Sequence, residues 1–287
     1  MILITGASGN VGREVLKQAV LSGLRVRAAY QRPERASVPA GVEVVKVDFN
    51  DPGTLEAALE GMEKVFLVGP PTEELVQLER KAVVVIAHSK MRHLVKLSAM
   101  GGREATFPRQ HAESEDAIRK LDVSFTFLRP NGFMQNLVNY SSAAIKTIDK
   151  FYGSEGDGKI SLIDIRDVAA VAVKVLSEDG HAGRAYTLTG QEAVSNREIA
   201  QSMSEVLGRK IEFVNLAPED LKTALLSAGV PEWNAEALVD LQRLYREGKA
   251  AMVSSDVREI LGHAPRSLRD FLIDYRDAFE PEAVGTR

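Results

Sequence analysis

The chain has 287 residues, 45% of them hydrophobic, a net charge of −4 and no cysteine. That length and apolar content suffice for a sizeable core in one large or two unequal domains, and the lack of cysteine excludes disulfides, thiolate metal sites and a cysteine nucleophile. No run of lysine or arginine offers a surface to nucleic acid, and apolar stretches such as Val83–Ala87 fall far short of the roughly 20 residues that span a membrane. Neither a metal, a nucleic acid nor a membrane is therefore an expected partner. Met1 leads directly into an apolar strand, so no cleaved leader is expected and the expected compartment is the cytoplasm.

Short β-branched runs alternate with amphipathic segments through the first half, the pattern of repeated βαβ units. Six strands are expected, at Ile2–Thr5, Arg25–Tyr30, Val42–Val47, Lys64–Val68, His93–Leu97 and Ser124–Leu128. Between them, Val11, Val15 and Ala19, then Leu55, Leu59 and Met62, then Leu75, Leu78, Ala82 and Val85 recur at helical spacing and mark core-facing stripes. After Arg129-Pro130 a helix is expected from Phe133 to Lys150, running into a loop with Gly153, Gly156 and Gly158, followed by a strand at Ile160–Ile163 and a helix at Arg166–Leu176.

The final third reads as a short strand at Tyr186–Leu188 and a capping box, Ser195 with Glu198, opening a helix that ends near Gly208. Then come a strand at Ile211–Val214, a helix begun by Pro218, helices over Pro231–Gly248, Ser254–Gly262 and Ser267–Phe279, and a loose tail from Pro281 to Arg287. The fold class expected is α/β, a doubly wound parallel Rossmann sheet with a smaller, mainly helical second domain. Residues 1–150 are assigned to dinucleotide binding, with 161–178 returning to that domain, and 151–287 to the smaller substrate side.

Where the first strand ends and the first helix begins stands Thr5-Gly6-Ala7-Ser8-Gly9-Asn10-Val11-Gly12. Gly6 permits the tight turn, Gly9 admits close approach of backbone amides to a diphosphate, Gly12 allows close packing, and the helix N-terminus adds partial positive charge. The residues Gly6, Ala7, Ser8, Gly9, Asn10, Val11 and Gly12 are thus assigned to a nicotinamide dinucleotide. Two residues separate the first glycines, where the commoner motif has one.

Cofactor choice is read at the end of the second strand, where an NAD binder offers a carboxylate to the ribose. Here stand Tyr30-Gln31-Arg32, and the first acid, Glu34, lies between Arg32 and Arg35. Gln31 and Arg32 are assigned to a 2′-phosphate, and NADP(H) is expected over NAD(H). The alternative, that Arg32 and Arg35 are solvated loop charges, stays open. Asp48-Phe49 closes the third strand and is assigned to the adenine side, against a plain turn into Asp51-Pro52. Gly69-Pro70-Pro71 ends the fourth strand and Ser98-Ala99-Met100-Gly101 the fifth, both at the edge where open α/β sheets bind ligands.

With these residues goes a series of further blocks: Phe66-Leu67-Val68-Gly69-Pro70, Lys96-Leu97-Ser98, His111–Glu115, Leu128-Arg129-Pro130-Asn131-Gly132-Phe133 and Ile163-Asp164-Ile165-Arg166-Asp167-Val168-Ala169. Together they resemble the NmrA-like branch of the atypical short-chain dehydrogenase/reductases, which includes quinone, triphenylmethane and azo reductases. The resemblance implies that Asn131 joins the cofactor side, and that Gly132, Phe133 and Met134 line the nicotinamide and substrate side. Met100, Phe107 and Trp233, with Phe151 and Tyr152, are candidates for an aromatic pocket between the domains, though each is as readily core.

Short-chain dehydrogenases usually place tyrosine and lysine at i and i+4 on the helix before the sixth strand. Here that turn is His111-Ala112-Glu113-Ser114-Glu115. The spacing puts His111 and Glu115 on one helix face, and His111 is the candidate proton donor after hydride transfer. A surface His–Glu contact is the alternative. The expected function is NAD(P)H-dependent reduction of a small aromatic or conjugated acceptor such as a quinone, azo compound or dye, by a monomer or homodimer. The rival is a non-enzymatic NADP sensor, and a nucleotide-sugar epimerase is disfavoured because it needs the missing tyrosine.

Overall fold

The computed structural model describes residues Met1–Pro281. The expected loose tail lies, beyond Pro281, outside the described residues.

The chain opens with strand β1 (Ile2–Ile4), helix α1 (Asn10–Leu21), β2 (Val26–Tyr30), β3 (Glu43–Lys46), α2 (Pro52–Leu59), β4 (Lys64–Leu67), α3 (Leu75–His88), β5 (His93–Leu97), α4 (Thr106–Arg119) and β6 (Phe125–Pro130). The six strands fall where the β-branched runs stand. The stripe expected on the first helix is buried as Val11, Val15, Leu16 and Ala19, each large aliphatic side chain contributing about 1.5–3 kcal/mol by leaving water.

After Pro130 the expected helix forms over 135–148 rather than 133–150. A π-helical turn at Leu137–Ser141 leads into α5 (Ser142–Ile148), Asp149 takes a left-handed conformation with φ 58°, and the chain extends as β7 (Lys150–Gly153). The helix stops there because a left-handed residue cannot continue its hydrogen-bond ladder. A two-residue β8 (Lys159–Ile160) follows, then α6 (Ile165–Ser177), β9 (Arg184–Leu188), β10 (Val194–Ser195), α7 (Asn196–Leu207), β11 (Glu212–Asn215), α8 (Pro218–Ser227), α9 (Glu232–Arg246), α10 (Asp256–Leu261) and α11 (Leu268–Asp274). The capping box is present at the start of α7, with the Ser195 side chain accepting from the Glu198 amide and the Glu198 carboxylate from the Ser195 amide.

Seven strands form one sheet in the order β3-β2-β1-β4-β5-β6-β9, every neighbouring pair parallel. The order reverses between β1 and β4, the switch point of a doubly wound sheet. Helix α6 packs with α1, and α3 packs between α2 and α4. The strand at Tyr186–Leu188, expected in the second domain, is in fact the edge of this sheet: Leu128 pairs with Tyr186 and Pro130 with Leu188.

Two compact units result. The first holds Met1–Pro130, Ile165–Leu188 and Asp256–His263; the second holds Asn131–Asp164, Thr189–Ser255 and the described residues from Ala264 to Pro281. The expected boundary at residue 150 is thus corrected to Pro130/Asn131, because the chain leaves the sheet as soon as β6 ends. The first unit's core gathers Leu3, Leu55, Val65, Leu67, Ile86, Leu94 and Phe127. The second unit's core gathers Met134, Ile145, Phe151, Met203, Phe271 and Phe279, so Phe151 and Met134 are core side chains there.

At the base of the first unit's sheet, His93 sits between two hydroxyls, Nδ1 2.7 Å from Ser124 Oγ and Nε2 2.8 Å from Thr126 Oγ1. Thr126 donates its own proton to the His181 carbonyl, 2.6 Å away, so the imidazole donates through Nε2 and accepts through Nδ1. Burial first, then the charges of Lys64 and His181, push its pKa down to about 4. Unfolded His93 takes up a proton near its ordinary value and folded His93 only near pH 4, so this residue's stabilisation is present at neutral pH and is lost as pH falls. In the second unit burial pushes Glu155 up to about 7, and its contribution runs the other way, present in acid and lost as pH rises. A comparison of variants separates the two. In urea titrations at pH 7 and pH 5, His93→Gln is expected to lose less stability over that interval than the parent, by ~2 kcal/mol.

Candidate active site

The turn from β1 into α1 lies at the switch point and is fixed from several sides. Thr5 Oγ1 accepts from the Val68 amide at 2.8 Å and lies 3.2 Å from the carbonyls of Phe66 and Val68, tying the ends of β1 and β4 together. Gly6 has φ 61°, and a Cβ on it would stand 2.9 Å from the Cβ of Val68. The Gly9 amide donates to the Gly6 carbonyl at 2.9 Å. A Cβ on Gly12 would come within 2.2 Å of that same carbonyl oxygen, so only glycine lets α1 start so close to the turn. Gly9 differs: its nearest neighbour would be the Gly6 oxygen at 3.3 Å, and Ser8, Gly9 and Asn10 are exposed.

Gly9 is the N-cap of α1 and no side chain caps it. The amides of Asn10, Val11 and Gly12 consequently have no intrahelical acceptor and face the loop with the helix dipole behind them. Arg13, exposed on the first turn, donates from its guanidinium to the Ser8 carbonyl at 2.8 Å. It brings a cation to the loop that the sequence reading missed, although a basic residue directly after the third glycine was its visible signal. The loop's shape, its free amides and this charge fit a diphosphate.

The other candidate cofactor residues of the first unit stand at the carboxyl ends of adjacent strands. Gln31 and Arg32 are exposed after β2, which Tyr30 ties to the loop by donating to the Ala7 carbonyl at 3.3 Å. Asp48 follows β3, where its Oδ1 accepts from the Asn50 amide at 2.9 Å while its own amide donates to Thr54 Oγ1 at 2.9 Å. That is the turn reading of Asp48. Phe49 packs half-buried on the core. Pro70 and Pro71 are exposed after β4, and Gly69 abuts α3, where a Cβ would lie 2.5 Å from Leu75 and 2.8 Å from Glu79 Oε1.

At the end of β5 two buried charge clusters meet α4. Lys96 has no exposed surface, and its Nζ lies 2.8 and 2.6 Å from the two Glu79 carboxylate oxygens, 3.1 Å from the Leu97 carbonyl and 3.3 Å from His111 Nδ1. One turn on, Glu115 is 2% exposed and accepts from Ser98 Oγ at 2.6 Å, Arg129 Nε at 2.8 Å and Arg119 at 2.9 Å. Burial works to raise the Glu115 pKa, but hydrogen bonds from Arg129 and Ser98 and the charges of both arginines outweigh it and hold it below the usual carboxylate value. His111 and Glu115 do share a face of α4, yet they are not a surface contact: each has a separate buried partner set. Burial, then the Lys96 charge, hold the half-buried His111 well below the ordinary histidine range, so it is neutral. Lysine inside the otherwise apolar run Leu94–Leu97 was the sequence signal for this cluster.

In the second unit Asn131 is 9% exposed and its side chain is engaged in holding a turn. Nδ2 donates to Ser161 Oγ and to the Ala250 carbonyl, each at 2.8 Å, and Oδ1 accepts from the Gly132 amide at 2.9 Å. Phe133 and Trp233 are half-buried, as are Met100 and Phe107 in the first unit, while Tyr152 is 43% exposed. Among the described residues no cluster of metal-binding side chains occurs, and no helix is long and apolar enough to cross a membrane.

The NmrA-like family model matches residues 1–272. A (4-alkanoyl-5-oxo-2,5-dihydrofuran-3-yl)methyl phosphate reductase of Streptomyces griseus is 39% identical over 98% of this chain and all of its own length. An NAD(P)H azoreductase of Xenophilus azovorans is 32% identical over 97% of this chain and 99% of its own. Among solved structures, an NADPH-dependent quinone oxidoreductase from Escherichia coli in complex with NADPH superimposes with a TM-score of 0.87 at 26% identity, covering 96% of this chain and 100% of that one.

The different surroundings of the three glycines give separable outcomes. Gly12→Ala is expected to cost about 1–3 kcal/mol of stability by forcing α1 away from the turn, and to abolish dinucleotide binding. Gly9→Ala is expected to unfold close to the parent temperature yet bind NADPH at least tenfold more weakly, as read by thermal unfolding beside calorimetric titration.

Proposed function

The chain belongs to the NmrA-like family, and from that premise we propose that it is an NADPH-dependent reductase acting on a small conjugated acceptor: an unsaturated carbonyl compound, a quinone or an azo compound. The observation that carries the reading is the uncapped start of α1, set at the switch point of a parallel sheet behind Gly6 and Gly12, where a side chain would obstruct the turn, and the exposed Gly9. The amides of Asn10, Val11 and Gly12 hold the diphosphate, and Arg13 adds charge beside them. Gln31 and Arg32 meet the 2′-phosphate, since no carboxylate stands at the end of β2 to take a ribose hydroxyl. Asp48 and Phe49 border the adenine, and Gly69, Pro70, Pro71, Ser98 and Asn131 follow the chain of the cofactor toward its reactive end.

A reduced nicotinamide dinucleotide, when bound, supplies the hydride. The residues of the chain then have two tasks, to orient a flat acceptor and to manage the proton that follows. Met100, Phe107, Gly132, Phe133, Met134 and Trp233 are assigned to the acceptor side, Met134 acting from within the core as support. His111 is assigned to the proton. The acceptor class draws on the relatives, whose names specify an alkanoyl-dihydrofuranone phosphate, an azo compound and a quinone. These share a conjugated electrophile. The rival reading, a dinucleotide sensor without turnover, is not favoured, because the reported relatives are reductases.

The test has two parts. Calorimetry is expected to show NADPH binding more tightly than NADH, and Arg32→Ala to lose about tenfold to a hundredfold toward NADPH alone, the equivalent of ~1.5–3 kcal/mol for a charge-assisted pair. Equal losses for both dinucleotides remove the phosphate role. Oxidation of NADPH is expected with at least one of a quinone, an azo dye and an alkanoyl-dihydrofuranone; tight binding without turnover on any of them overturns the reductase.

A further inference from the structure

Lysine ammonium has three donors and no acceptor. Its 3.3 Å contact with His111 Nδ1 therefore makes Nδ1 the acceptor and places the ring proton of the neutral imidazole on Nε2. Among the described residues Nε2 has no hydrogen-bond partner, and the ring is only half-buried. The ammonium in turn is fixed on its far side by both oxygens of Glu79 and by the Leu97 carbonyl, in a place without solvent access. Glu79 is itself pressed by the glycine at the end of β4, where any Cβ on Gly69 would meet its carboxylate. A strand, two helices and a loop thus converge to aim one N–H outward from α4.

We propose that Glu79, Lys96 and His111 form a proton relay, in which His111 Nε2–H is the donor to the acceptor's heteroatom and the buried Glu79–Lys96 pair is a positioning pair that fixes the tautomer and refills the ring. This rests on the reductase reading above. Hydride addition leaves an anion on the acceptor. The Nε2–H bond breaks as the heteroatom–H bond forms; an Nδ1–H bond forms as one Nζ–H bond of Lys96 breaks. The ring ends neutral with its proton on Nδ1, and Lys96 ends as an amine beside Glu79 until a solvent proton restores the ammonium and the original tautomer. Demand for the relay rises with the basicity of the anion that hydride addition leaves on the acceptor. Hydride addition to an azo group leaves a hydrazide anion, a strong base that takes its proton as it forms. The monoanion that a quinone leaves is a stabilised phenolate, and water serves it almost as well.

The relay therefore makes acceptor-dependent demands that a purely structural ion pair does not. Lys96→Met alone would leave the Glu79 carboxylate buried without a counter-charge, so the informative change is the neutral pair Glu79→Gln with Lys96→Met. With unchanged NADPH affinity by calorimetry, His111→Gln is expected to lower kcat on an azo dye on the order of 100-fold, and the neutral pair at least tenfold. Both are expected to lower it on a quinone by less than about threefold. Equal losses on the two acceptors, or none on the azo dye, overturn the relay. A second readout needs neither turnover nor a variant that folds: nitrogen-correlated NMR of the parent protein at neutral pH, with His111 as one of five histidines to resolve. A neutral ring protonated on Nε2 is expected. A charged ring, or the proton on Nδ1, overturns the relay, whereas failure of the parent to bind NADPH or reduce any acceptor overturns the reductase reading instead.

Discussion

The close approach of Gly12 to the Gly6 carbonyl, which leaves no room for a Cβ, is the constraint on which the first unit turns. It lets the first helix begin within one short turn of the first strand, so that the strand end, the loop and the helix amides share one small space. Thr5 then locks that strand to β4 across the switch point, and Tyr30 ties the neighbouring β2 to the same loop. The helix start is left without a side-chain cap, which a purely structural turn would have little reason to omit. Free amides, a positive dipole end and an adjacent guanidinium make an anion the natural occupant.

A second feature sets this unit apart from a simple apolar sandwich of sheet and helices. Two carboxylates and two cations, Glu79 with Lys96 and Glu115 with Arg129, sit at the junction of β5 with α4, and three of the four are almost wholly inaccessible. Burying such pairs is costly, and apolar residues of similar volume would often be as stable. What the charges provide is direction. Hydrogen-bonded from several elements at once, they hold α4 at a fixed height on the sheet and fix which nitrogen of His111 carries its proton, the kind of preorganisation a proton-handling site requires.

Membership of the NmrA-like family accounts for the shared framework, while the differences between relatives explain why the acceptor is the finer question. The relatives act, by name, on chemically distinct molecules that have conjugation in common. Hydride delivery depends mainly on placement of the cofactor, so one glycine-loop framework serves many acceptors. Demand for a proton varies with the basicity of the reduced acceptor, and there a histidine coupled to a buried lysine differs from a site that leaves the proton to water.

Much of the first unit was readable along the chain because its signals are local. Six β-branched runs, helical stripes such as Val11-Val15-Ala19, the spacing of Gly6, Gly9 and Gly12, and the Ser195–Glu198 capping box each depend on residues a few positions apart, where strand pleat, helix pitch and hydrogen-bond geometry act directly. Other features depend on pairings over long separations, and there the linear pattern is silent. Tyr186–Leu188 completes the main sheet only because β6 has a free edge to offer it, and the helix expected through Lys150 ends early at a left-handed Asp149. The partners of His111 and Glu115 come from β5 and the residue after it, from β6 and from the end of α4 rather than from one another. Spacing along a helix says which side chains share a face, but only the packed neighbours decide what that face meets, and hence which of them is charged, which is neutral and which nitrogen holds the proton.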